Sequence, residues 1–168
     1  LRKLANETYQ KFGESVSITV QHEQYMRPLI IEMEGSEPPP SYDFRVRIPL
    51  LGSAGGMAVL AGMTEDEVAE VIRRELGKLP PQERKEKIDA LMAELKKTRS
   101  QGYAVKVHQI FHEGQKSFFS VIAMKIPTPP GLPSMVLAVS LLDKNISGKE
   151  ETMAVTMRDL IARYHQAI

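Results

Sequence analysis

The stretch Tyr103–Leu142, YAVKVHQIFHEGQKSFFSVIAMKIPTPPGLPSMVLAVSLL, decides the fold. Tyr103 to Phe111 and Lys116 to Ile126 read as strands flanking a hairpin turn at His112-Glu113-Gly114-Gln115. Phe118 to Met124 is apolar apart from Ser120, as expected of an interior strand covered on both faces. Thr128 to Pro133 is a Pro/Gly loop, and Met135 to Leu142 is another strongly apolar strand. The links are too short for βαβ crossovers, so the three strands predict an antiparallel meander.

Upstream, Leu1, Leu4, Ala5, Thr8 and Phe12 fall at helical spacing, and Gly13 follows as a stop. Val16, Ile18 and Val20 alternate with Ser15, Ser17, Thr19 and Gln21, the pattern of a half-buried strand. Tyr25 to Glu34 reads as a second strand. Pro38 to Pro40 cannot donate ladder hydrogen bonds and mark Gly35 to Ser41 as a stiff loop. Phe44 to Leu50 is a short strand closed by Pro49. Gly52-Ser53-Ala54-Gly55-Gly56 then leads into a short apolar helix, Met57 to Ala61. Thr64 and Glu67 have the spacing of a capping box, and Val68, Val71, Ile72 and Leu76 form the buried stripe of the helix it starts. Glu83 to Ser100 forms another helix, with Ile88, Leu91, Met92 and Leu95 inward. Ser147 and Glu150 predict a second box, opening a last helix that buries Met153, Met157, Leu160, Ile161 and Tyr164. The order predicts one α+β domain over residues 1–168, an antiparallel sheet with helices packed on its faces.

Composition sets the outer limits. The chain has 168 residues, 42% hydrophobic and 26% charged, which excludes a collagen, a coiled-coil rod and a disordered tail. Its 22 basic and 21 acidic residues give a net charge of +1, too little to grip a phosphate backbone or an anionic membrane unaided. Cysteine is absent, which excludes disulfides, Cys-ligated zinc, iron–sulfur clusters and a thiol nucleophile, and fits a reducing cytosol. No apolar run approaches a membrane span, and no signal peptide is recognisable. Leu1 and Ile168 both lie inside apolar stripes, so each end is expected to be a cut in a longer polypeptide.

Few residues suggest catalysis. No Walker loop, HExxH, nucleophile elbow or outstanding carboxylate pair is present. His108 and His112 sit four apart on a strand, where that spacing spreads them too far for one metal, so neither a metal nor a cofactor is expected. The informative segment is Gly52 to Gly56. Its small residues admit a ligand close to the backbone, and it opens a helix whose free N–H groups favour an anion. A simpler role for those glycines is tight packing of helix on sheet.

Four phrases taken together resemble the effector-binding domain of IclR-type bacterial transcriptional regulators. They are Leu1 to Val20 with its FGESV strand entry, VRIPLLGSAGGMAVLA at Val46 to Ala61, RSQGYAV at Arg99 to Val105, and Val121 to Ser140 ending in LAVS. The resemblance implies a GAF-like fold and a cytoplasmic, non-enzymatic sensor of a small organic effector. It further implies a homodimer or homotetramer, with promoter DNA as the partner of the full-length protein through an N-terminal winged helix-turn-helix domain outside this chain. Sulfoxide-reducing members of the GAF-like class use cysteines, so that chemistry is closed here.

The same resemblance places the effector site at Ile48, Ser53, Ala54, Gly55, Met57, Phe119, Val121, Ala138 and Ser140. Ser53, Ala54 and Gly55 stand at the backbone anion-holder, with Ser53 and Ser140 as hydrogen-bonding hydroxyls. Several polar positions of the family pattern are lost: its Cys is Val121, the first Ser of its S-V-S is Ala138, and its acidic residue after G-Y-A-x is Lys106. A compact acid needs several polar groups to replace its hydration. The losses therefore imply a larger, partly apolar acid or an aromatic metabolite, or else a decayed pocket serving only as an oligomerisation scaffold.

Overall fold

The computed structural model describes residues 1–33, 47–112, 115–142 and 146–166; the side chains of 108–112, 115–119 and Leu142 lie outside the description. The elements are α1 (Arg2–Phe12), β1 (Ser15–His22), β2 (Tyr25–Glu32), β3 (Ile48–Pro49), α2 (Ala54–Ala61), α3 (Glu65–Leu76), α4 (Pro81–Gln101), β4 (Ala104–His112), β5 (Gln115–Ile126), β6 (Met135–Leu142) and α5 (Glu150–Gln166). One six-stranded sheet has the order β3-β2-β1-β6-β5-β4, and every pairing is antiparallel. The predicted meander is β4-β5-β6, and β1 joins it along β6. The predicted loop at Pro38 to Pro40, the residues Phe44 to Val46 and the turn tip Glu113-Gly114 lie outside the described residues.

Both faces of the sheet are covered. On one, Val16, Ile18, Ile122, Leu137 and Val139 pack with Leu4 and Ala5 of α1 and Met153, Met157, Leu160 and Ile161 of α5. On the other, Met26, Ala104, Ala123, Val136 and Ala138 meet Met57 and Leu60 of α2, Val68 and Val71 of α3, and Leu91 and Leu95 of α4. Ala104, Ala123 and Ala138 sit side by side across β4, β5 and β6, and Ser17 continues the row onto β1. A row of such small side chains lets a helix lie close to the sheet.

This two-sided cover overturns the reading of β1 as half-buried. Ser17 and Thr19 are each only 6% exposed. Their hydroxyls point to the α2 face, not to water. Alternation marks two different faces, but it does not say that the polar one is wet.

The remaining corrections concern helix ends. α2 starts three residues ahead of its apolar run, because Ser53 caps it. α4 starts at Pro81, whose missing N–H costs nothing at a helix entry. α5 starts at Glu150, with the Met153 N–H on the Lys149 carbonyl and Gly148 at φ +80° in the preceding turn. Ser147 lies three residues before Glu150, the first residue of the helix. The Thr64–Glu67 box forms as predicted: the Thr64 hydroxyl accepts the Glu67 N–H, and the Glu67 carboxylate accepts the Thr64 N–H.

Candidate functional site: the start of helix α2

The turn before α2 is built by its own side chains. Leu50 N–H bonds the Gln24 carbonyl, and Gly52 turns the chain at φ +90°, a left-handed conformation that favours glycine. Ser53 then caps the helix. Its Oγ donates to the Pro49 carbonyl at 2.7 Å and accepts the Gly56 N–H at 3.0 Å, while the Met57 N–H bonds the Ser53 carbonyl. Among the described residues, the Ala54 and Gly55 N–H groups have no partner. No acidic side chain sits in the first turn of α2. Its positive dipole end is thus left without a compensating carboxylate of its own.

The two glycines of this turn differ. A Cβ on Gly56 would lie 1.9 Å from the Leu50 carbonyl oxygen, so Gly56 is needed for the turn to press on the helix. A Cβ on Gly55 would meet Thr19 Oγ1 at 3.6 Å, Val136 Cγ1 at 3.9 Å and Met26 Cγ at 4.0 Å, which is ordinary contact. Gly55 therefore places the open end of α2 directly above Thr19 on the sheet.

The predicted site residues distribute as follows. Ser53, Ala54 and Gly55 form the cap and the free amides. Ala138 is buried on the sheet face that α2 covers, opposite Ser17. Val121 pairs with Ser140 on β6 and Lys106 on β4, so these three make one cross-strand row, two residues along from the Ala138 row on β5 and β6. Ser140 is 7% exposed and Val121 half-buried. Ile48 is half-buried on the short edge strand. Met57 is wholly enclosed in the core beneath α2. Phe119 pairs with His108 and Leu142 in the backbone ladder, and its side chain lies outside the described residues. Ser53 differs in kind from Ser140: its proton is already held by Pro49, so it frames the turn.

Four nearby groups carry no site signal in the sequence. Alternation alone turns Ser17 and Thr19 toward solvent. Lys106 appeared only as a lost carboxylate, yet its Nζ lies 2.6 Å from Glu94 Oε2 of α4, with both side chains about three-quarters buried. Its alternation with Ala104 was the available signal. Glu75 of α3 supports the turn from outside, accepting the Leu51 N–H. Burial pushes its carboxyl above the usual range, against the opposing pull of Arg74 and that hydrogen bond.

One cleft of about 220 Å³ is lined by Glu94, Val105 and Lys106 among others, and two more lie elsewhere. One of about 660 Å³, between α1 and α5, is lined by Lys11, Asp159 and Arg163 among others. Another of about 400 Å³ lies between α3 and the β1–β2 turn. Both are open and flanked by charged side chains; neither reaches the free amides of α2.

No protein-family model matches the chain, and no curated protein sequence matches it. Solved structures do. The effector domain of the putative transcriptional regulator IclR from Acinetobacter sp. ADP1 matches at 17% identity and TM-score 0.72, over 96% of this chain and 91% of that one. The inducer-binding domain of a PobR double mutant from Acinetobacter, in complex with 3-hydroxybenzoic acid, matches at 14% identity and TM-score 0.75, over 99% and 96%. An IclR homologue from Microbacterium hydrocarbonoxydans in complex with 4-hydroxybenzoate matches at 17% identity and TM-score 0.71, over 99% of this chain and 68% of that one. The first two of these neighbours are an effector domain and an inducer-binding domain of transcriptional regulators. This chain, which carries the phrases FGESV, RSQGYAV and LAVS, therefore has the α+β fold seen in IclR-type effector domains.

Proposed function

We propose that this chain is the ligand-sensing domain of an IclR-type transcriptional regulator, and that it binds a partly apolar organic acid at the start of α2. The observation that carries this reading is the pair of unpartnered amides at Ala54 and Gly55, at a helix end with no carboxylate of its own. Free N–H groups at a helix N-terminus suit the oxygens of an acid. Val121, Ala138 and Ile48 give the neighbouring surface an apolar character, with Ser140 as its hydroxyl. The hydroxybenzoates bound by two structural neighbours support an aromatic acid as the first class to test. Binding would act on DNA through unequal affinity for two arrangements of the whole regulator. In this reading the regulator is a cytoplasmic homodimer or homotetramer, and its DNA contacts come from a domain outside this chain.

The test is a thermal-shift series with benzoate, its hydroxylated derivatives and the matching methyl esters. Acids should raise the melting temperature in a concentration-dependent way and esters should not. Ala54→Pro removes one free N–H at a position where proline is compatible with a helix entry and with the extended Ser53. It should weaken the response to acids while leaving the unliganded protein folded. Equal shifts with acids and esters would contradict the anion site. Silence across the panel would favour an oligomerisation scaffold without ligand.

A further inference from the structure

We infer that Thr19 of β1 is an effector-contacting residue, donating its hydroxyl proton to the same acid group that the Ala54 and Gly55 amides receive. The inference rests on the effector-binding reading above and names a group within that site.

Thr19 is 6% exposed, and its Oγ1 is fully buried without a hydrogen-bond partner. An unsatisfied buried hydroxyl is costly, and valine would have the same shape at no such cost. The hydroxyl lies 3.6 Å from the point where a Cβ on Gly55 would stand. Thr19 therefore packs against Gly55, whose amide, like that of Ala54, is unused. The three unpartnered donors belong to one helix–strand contact, and the first turn of α2 has no carboxylate to accept from them. An acid with two oxygens is the complement to that set.

The strand extends the specificity. Ser17, on the same face, is buried about 6.6 Å along β1 from Thr19. A second oxygen on the far side of an aromatic ring would fall near it. The favoured ligand is thus a hydroxylated aromatic monocarboxylic acid.

The experiment is calorimetric titration of benzoate and 4-hydroxybenzoate into the wild type, Thr19→Val, Thr19→Ser and Ser17→Ala. Thr19→Val should weaken both acids about tenfold or more, given the strength of hydrogen bonds to charged groups. Its unliganded melting temperature should stay level or rise, because an orphaned hydroxyl has been removed. Thr19→Ser should retain binding. Ser17→Ala should weaken 4-hydroxybenzoate more than benzoate, and equal losses would remove Ser17 from the contact. A wild type that binds while Thr19→Val binds equally well overturns the inference alone. A wild type that binds neither acid overturns the effector reading, and this inference falls with it.

Discussion

Gly55 and Gly56 are neighbours with opposite constraints. At Gly56 a methyl would collide with the Leu50 carbonyl, a backbone atom that cannot step aside. Gly56→Ala should therefore destabilise the domain by about 2 kcal/mol or more, read as a lower denaturation midpoint. At Gly55 a methyl finds only ordinary contacts, and alanine suits a helix better than glycine. Gly55→Ala should leave unliganded stability level or slightly higher. If both substitutions cost the same, the glycines would serve packing alone. The sequence marked this run as special but not which glycine does what, because that depends on where Leu50 and Thr19 come to lie.

At the scale of elements, α2 is held at both ends by residues distant in sequence. Arg99 of α4 donates to the carbonyl of Ala61, the last residue of α2, and of Met63 just beyond, and pairs with Glu65 at the start of α3. That arginine opens the phrase RSQGYAV, so a structural reason stands behind one of the phrases that carried the resemblance. At the other end, Glu75 receives the Leu51 N–H while one of its oxygens is buried without a partner. Its folded-state pKa is raised, so the folded protein holds that proton more tightly than the unfolded chain does. The associated stability is present below the ordinary carboxylate range and is lost as pH rises towards the folded pKa. Glu75→Gln keeps an acceptor for Leu51 and removes the charge. Its melting temperature should equal or exceed the wild type at neutral pH, and the difference should close in acid. An advantage that persists unchanged in acid would contradict this assignment. Where helices begin was less legible than where they end. Gly13 and Gly102 stop α1 and α4 in left-handed conformations that the sequence announces. Ser53, by contrast, caps a helix whose first turn holds two glycines and so lacks the apolar rhythm that reveals one.

For the whole molecule, the element order followed from periodicity, because each change of period is punctuated by glycine or proline. What periodicity could not supply is the second cover on β1. Ser15, Ser17 and Thr19 alternate with apolar residues as in a strand facing water, but α2 packs over that side through the row Ala104, Ala123, Ala138. The proposed acid-holding corner joins residues from β1 and α2, 36 positions apart in sequence between Thr19 and Gly55, and only the folded chain brings them together. The amide half of that corner was visible as small residues opening a helix. The hydroxyl half was not, since a serine or threonine in a strand carries no mark of being buried. The most direct test is to follow the Ala54 and Gly55 backbone N–H resonances in a ¹⁵N-labelled sample titrated with 4-hydroxybenzoate. Both should move downfield and saturate together, as amides do on gaining a carboxylate. Saturable shifts confined to the α1–α5 cleft, with these two signals unmoved, would contradict the account.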